Sequence, residues 1–144
     1  MPTHLVLTAL VLLSCSACTS VDVKPLNAQS DPDLICIEEN DKVIVGDFLS
    51  VVQTRIEDHG ILTDVFPEKA AEYCDYVLTY VALQTWDMGT YMHHAELRLL
   101  YQGRRVAYAE YHLKGKGGLS LMKWKSTKSK MEPVVDELLG KTPI

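Results

Sequence analysis

Tyr91-Met92-His93-His94-Ala95-Glu96-Leu97-Arg98-Leu99-Leu100-Tyr101-Gln102-Gly103-Arg104-Arg105-Val106-Ala107-Tyr108-Ala109-Glu110-Tyr111-His112-Leu113-Lys114 is the stretch on which the fold turns. Its two halves, residues 91–101 and 104–114, are rich in the aromatic and aliphatic side chains that suit a pleated, half-buried surface. Gln102-Gly103 between them is a two-residue loop, and its glycine supplies the positive φ that a tight hairpin requires. With that loop, Leu99 faces Val106, Leu97 faces Tyr108 and His93 faces His112. Side chains alternate with period two, so the same register puts Glu110 on the core face and His94 on the face opposite His93. A slip of one residue would invert every position.

Outward from the hairpin, residues 76–86 read as a long strand, with Val77, Thr79, Val81 and Leu83 on one face and Tyr76, Leu78, Tyr80, Ala82 and Trp86 on the other. Two largely apolar faces make it a central strand. Residues 34–38 and 61–66 read as further strands, the second ended by Pro67. Between them Phe48, Val51, Val52 and Ile56 recur at helical spacing, with Asp47 as N-cap and Gly60 at the exit. Val43-Ile44-Val45 fits either a strand end or an early helical turn. A last helix begins near Ser126 or Ser129 and runs to Leu139, turning Val134, Val135, Leu138 and Leu139 inward and stopping at Gly140. Pro133 falls in its first turn or at a kink. The expected fold is α+β and two-layer: one mostly antiparallel sheet of about five strands with two helices packed on one face. The second face is then open or covered by a partner.

The beginning of the chain reads as an address. The apolar run from Leu5 to Leu13 would span only about 14 Å as a helix, too short to cross a bilayer, and fits the apolar core of a secretory signal. Small residues then lead into cysteine, which resembles the bacterial lipoprotein signal, in which the cysteine sulfur is lipidated and becomes the new N-terminus. Cys18 after Ser16-Ala17 is the first choice and Cys15 after Leu13-Ser14 the alternative. The lack of Asp just after the cysteine matches, by the same resemblance, lipoproteins of the outer membrane. Two or more acyl chains, palmitate among them, would hold stably where one holds marginally. Residues 1–17 are thus the expected signal peptide, 18–32 a tether rich in polar residues and proline, and 33–144 a single α+β domain.

Removing a 17-residue signal from 144 leaves 127 residues, enough for one core. The net charge is −5 and unevenly spread, with 13 acidic and 4 basic residues from Asp22 to Asp75 and 6 acidic and 10 basic from Tyr76 onward. That balance argues against a nucleic-acid binder. Cys36 and Cys74 remain in the mature domain, and an even pair in an oxidising compartment predicts a disulfide. The other reading is two separate buried thiols.

Cys18-Thr19-Ser20-Val21-Asp22-Val23-Lys24-Pro25-Leu26, Cys36-Ile37-Glu38-Glu39-Asn40, Cys74-Asp75-Tyr76, Val106-Ala107-Tyr108-Ala109-Glu110-Tyr111-His112 and Lys116-Gly117-Gly118-Leu119-Ser120-Leu121-Met122-Lys123-Trp124 resemble the uncharacterised Sbal family lipoproteins of gammaproteobacteria. The resemblance covers nearly all of the mature chain and implies no activity. A looser likeness, of element order and of the Asp75-Tyr76-Val77-Leu78 strand, is to auxiliary lipoproteins of ABC transporters, and fold likeness does not carry function.

Three groups of residues bear on chemistry. Lys114, Lys116, Lys123, Lys125, Lys128 and Lys130 lie in a stretch without an acid, with Trp124 and three glycines among them, so Lys114, Lys116, Lys123, Trp124 and Lys125 are candidate contacts to an anion, a headgroup or an acidic partner, beside the plainer reading of a solvated basic surface. His93 and His112 on the hairpin are candidate ligands for zinc or copper, beside the reading of a polar sheet edge. Seven tyrosines suit interfaces and, equally, ordinary strand packing. Ser50 and Ser120 lack a nucleophile elbow, and no paired carboxylates stand out, so neither catalysis nor a cofactor is expected. The leading expectation is a non-catalytic, lipid-anchored outer-membrane lipoprotein, facing the periplasm and binding a partner protein or envelope component. The alternative is a metal or small-ligand module on the His93/His112 edge.

Overall fold

A computed structural model describes residues 19–70 and 72–144; the expected signal peptide, with the candidate lipidation sites Cys15 and Cys18, lies outside the described residues. The chain runs β1 (Thr19–Lys24), β2 (Leu34–Glu38), α1 (Phe48–Asp58), β3 (Leu62–Phe66), β4 (Tyr76–Trp86), β5 (Thr90–Tyr101) and β6 (Arg104–Leu113), then two short 3-10 turns (Lys114–Gly117 and Leu121–Trp124), then α2 (Thr127–Leu138). One open, six-stranded sheet has the order β1-β6-β5-β4-β2-β3. β4 is central, as its two apolar faces require. The β1–β6, β6–β5 and β5–β4 pairs are antiparallel, whereas β2 runs parallel to both β3 and β4. Connectivity accounts for both parallel pairs: α1 carries the chain back so that β3 starts at the same end as β2, and residues 67–75 carry it back again before β4.

The sixth strand corrects the expected tether. Thr19–Lys24 pairs with β6 from Thr19↔Leu113 to Lys24↔Tyr108, so the first part of the 18–32 segment is sheet edge. Its period is in the sequence: Val21 and Val23 sit opposite Tyr111 and Ala109 on the helix side, while Asp22 and Lys24 take the other face. Leu26 is buried, and its N–H donates to the carbonyl of Leu138 at 2.8 Å, closing the end of α2.

The hairpin turns where expected, with Tyr101 opposite Arg104, but its register is corrected beyond that. Leu100 pairs with Arg105 and Leu99 with Ala107, so Val106 is an extra residue that shifts the rest by one. Leu97 therefore meets Ala109 rather than Tyr108, and His112 meets His94 rather than His93. A second bulge, between Leu83/Gln84 of β4, leaves His93 as the extra residue of β5. The physical reason is the core: the shift turns Ala107, Ala109, Tyr111 and Leu113 inward beside Ala95, Leu97 and Leu99, and moves Glu110 to the outer face. The simple register would have buried Glu110 instead.

Phe48, Val52 and Ile56 of α1, Met131, Val134, Val135 and Leu138 of α2, and Leu139 just after it cover that inner face, and small Ala95, Ala107 and Ala109 let the helices approach. Val43-Ile44-Val45 is neither strand nor helix; Val45 plugs the core and Ile44 faces water. Asp47 precedes α1 without capping it, and its Oδ1 instead accepts from the Thr127 hydroxyl at 2.8 Å, tying the two helix starts together. Ser126 does cap α2, accepting from the N–H of Ser129. Pro133 lies inside α2 on its exposed side, past the first turn.

Two crosslinks hold this frame. Cys36 and Cys74 are joined, fastening β2 to the residues that open β4. Between the helices Arg55 grips Asp136 with two bonds, Nε to Oδ1 at 2.6 Å and Nη2 to Oδ2 at 2.7 Å, and His59 Nε2 lies 2.6 Å from Oδ1. All three side chains are almost wholly buried. Burial alone would push the Asp136 carboxyl up, but the bonds from Arg55 and His59 outweigh it and hold it below the usual carboxylate range.

Two outcomes check this frame. Converting Cys36 and Cys74 to serine opens a link across 38 residues of chain, and urea unfolding should register a loss of about 4 kcal/mol on chain-entropy grounds. Asp136→Ala strands a buried guanidinium and should cost about 3–5 kcal/mol at pH 7. Because the folded carboxyl titrates below its unfolded value of about 4, its contribution is complete above that pH and lost as pH falls through the lower folded value. The gap between wild type and Asp136→Ala should accordingly narrow in acid.

Candidate functional site

At one end of the sheet the β4–β5 turn and the loop after β6 are built into a single tip. The turn is tight, with Asp87, Met88 and Gly89 between the paired Trp86 and Thr90, and Met88 adopts φ 56, a left-handed conformation that costs a non-glycine residue about 1 kcal/mol. The loop opens with Gly115, Lys116, Gly117 and Gly118 all at positive φ. Glycine is required at 117, where a Cβ would stand 2.7 Å from Cβ of Lys123.

Lysines hold these pieces together from inside. Lys123 is 4% exposed; its Nζ pairs with Asp87 of the turn, donates to the Gly118 carbonyl at 2.8 Å, and lies 4.5 Å from the Trp124 ring. The Trp124 indole N–H donates to the Asp87 carbonyl at 3.0 Å. Lys130 reaches in from α2, and its Nζ donates to the carbonyls of Met92 at 2.9 Å and Lys123 at 2.5 Å. Tyr91 sits beside both ammonium groups and donates its hydroxyl to the Lys116 carbonyl at 2.7 Å. Burial pushes the Lys130 ammonium down to about 8.

Of the candidate anion contacts, Lys114, Lys116 and Lys125 are exposed at this tip and Trp124 is partly so, but Lys123 is not. Its head is spent on Asp87 and a carbonyl, so it braces the site rather than facing a ligand. The same turn and loop leave large apolar side chains exposed: Trp86, Met88, Leu119, Leu121 and Met122 all face water. A cleft of about 300 Å³ behind the tip is lined by Asp47, Tyr91, Trp124, Lys125 and Thr127. Trp86 and Tyr91 read from the sequence only as strand residues and Asp87 not as part of a site; the signal was a tryptophan and a methionine at a turn, where polar residues are the rule.

The second surface is the sheet face away from the helices. Val81 and Leu83 of β4 border a polar band formed by His94, Glu96 and Arg98 of β5 with Tyr108, Glu110 and His112 of β6. Glu96 pairs with Arg98 and lies 3.1 Å from His94 Nε2, the Tyr108 hydroxyl donates to Glu110 at 3.2 Å, and the Nδ1 atoms of His94 and His112 are 3.3 Å apart. Burial first, and then Glu96, pushes the Tyr108 phenol up. His93, the bulge residue, is separate from this band, and burial followed by the charge of Lys116 lowers its pKa. The His93/His112 pairing is thus replaced by His94/His112, and among the described residues no group of three or more His, Cys, Asp or Glu is arranged to hold a metal ion.

No family model matches the sequence, and no curated protein matches it. Solved structures do share the fold. A dodecamer of a PelC variant from Paraburkholderia phytofirmans is similar at a TM-score of 0.58 and 16% identity, over 86% of this chain and 99% of that one. A PelC dodecamer from the same organism is similar at 0.53 and 14%, over 83% and 94%. At such identities the likeness concerns the fold alone.

The buried Lys130 yields a pH signature. Its folded pKa lies below the unfolded value of about 10.4, so the unfolded chain binds more protons between those values and stability rises there with pH. Relative to Lys130→Met, wild type should gain stability from pH 8 to 10 in paired denaturation curves; an unchanging difference would show that the ammonium carries no such cost.

Proposed function

We propose that this chain is a non-catalytic lipoprotein of the outer membrane, facing the periplasm, held by acyl chains on Cys18 and acting by binding a partner protein or envelope component through the open face of its sheet. One observation carries the reading: both helices lie on one face, while the other keeps Leu83 47% exposed beside a half-buried band of charged and aromatic side chains. A face that mixes apolar stripe, tyrosine and arginine has the composition of a recognition surface. The resemblance to Sbal family lipoproteins and the lipoprotein-like cysteine at residue 18 support the location. The neighbours of the same fold are dodecamers, which makes a second copy the first partner to test.

The test is crosslinking in living cells from a photoreactive residue at Val81 or Arg98, with one at Glu137 on the exposed side of α2 as reference. A discrete adduct from the sheet face, to this chain or to another envelope protein, is expected. Adducts from Glu137 alone would contradict the reading. Labelling with palmitate should disappear in Cys18→Ser; persistence in that variant and loss in Cys15→Ser would move the attachment to the alternative cysteine.

A further inference from the structure

The tip collects, on one end of the molecule, the kind of surface that water disfavours. Six large apolar side chains, Trp86, Met88, Leu119, Leu121, Met122 and Trp124, are exposed there, from 37% for Trp124 to 100% for Leu119. They come from two separate loops, pinned together by the Lys123–Asp87 pair and the Trp124 indole bond. The patch is therefore presented by a braced scaffold, and Met88 is held outward in a left-handed backbone conformation. The same stretch, from Tyr111 to Met131, contains no acid and carries Lys114, Lys116, Lys125 and Lys128, all exposed, of which Lys128 lies 3.7 Å from Glu132.

Tryptophan, leucine and methionine together with lysine is the composition of a surface that enters the headgroup region of a bilayer, with rings and aliphatic chains in the acyl boundary and ammonium groups among the phosphates. Topology adds an independent observation. β1 begins at Thr19, opposite Leu113, the last residue of β6 before the lysine loop. The first strand therefore starts at the tip and not at the opposite end.

We propose that this tip docks on an anionic phospholipid surface, laying its two tryptophans into the interface and its exposed lysines on lipid phosphates. The inference rests on the lipoprotein reading for where the bilayer lies. Lipid on Cys18 and the tip then act at the same place: the first supplies permanence, the second fixes orientation, and the open sheet face stands upright, away from the membrane plane.

Trp86 and Trp124 are the only tryptophans in the chain, so intrinsic fluorescence reports on the tip without a label. The natural protein, purified from the envelope, is incorporated into vesicles of phosphatidylethanolamine and phosphatidylglycerol, with and without bromine on the acyl chains, and its mass is measured. Lipid on Cys18 together with a blue shift and bromine quenching is the expected result. Leu119→Ser with Leu121→Ser should relieve the quenching, and Lys114→Glu with Lys125→Glu should weaken any lipid-independent vesicle binding by about tenfold or more. A lipidated protein whose tryptophans stay unquenched overturns the tip while leaving the anchor standing. Quenching in a protein without lipid keeps the tip and removes the anchor. A tip that photocrosslinks to protein from Met88 and shows no quenching is a protein interface, and the proposal falls.

Discussion

The pairing of Thr19–Lys24 with β6 is the constraint from which the arrangement of this molecule follows. It closes one edge of the sheet with a strand that would otherwise be a loose leader, and it fixes the direction in which the chain enters the domain. Because β6 runs into the lysine loop just where β1 begins, the entry point and the tip share one end. A tether in place of β1 would leave the direction of entry open, whereas the strand fixes it.

Charge does two different jobs in this chain. Some charged groups are structural: Arg55 and Asp136 lock α1 to α2, and Lys123 and Lys130 brace the tip from within, each satisfied by a carboxylate or by carbonyls. Buried charge of this kind is weak as a source of stability and expensive to break on one side, so it specifies geometry more than it strengthens it. The other lysines of that stretch, 114, 116, 125 and 128, face solvent, the last beside Glu132 at 3.7 Å. A net charge of −5 therefore conceals one cationic pole, placed where an anionic surface would meet it.

Much of this was legible in the sequence. Alternating and helical periodicity located five strands and both helices, and the parity of two lone cysteines announced the disulfide. What escaped was whatever depends on partners distant in the chain. β1 shows only two valines in alternation, and nothing local says that Tyr111 and Ala109 await them. The hairpin register failed because a bulge at Val106 is decided by which side chains the core accepts, not by the turn. Among the six lysines of one stretch, sequence could not separate struts from surface. That division rests on Asp87 and Met92, about forty residues upstream.

Under the proposed lipoprotein reading, a domain whose first strand, exposed apolar side chains and exposed lysines lie at one end would hold its open sheet face at a set angle above a membrane. Everything in that account requires that residues 19–24 be sheet. Amide hydrogen exchange on the natural protein tests this most directly: the paired amides of Thr19–Lys24 should exchange as slowly as those of an ordered edge strand. Exchange at the rate of an unstructured leader would contradict it.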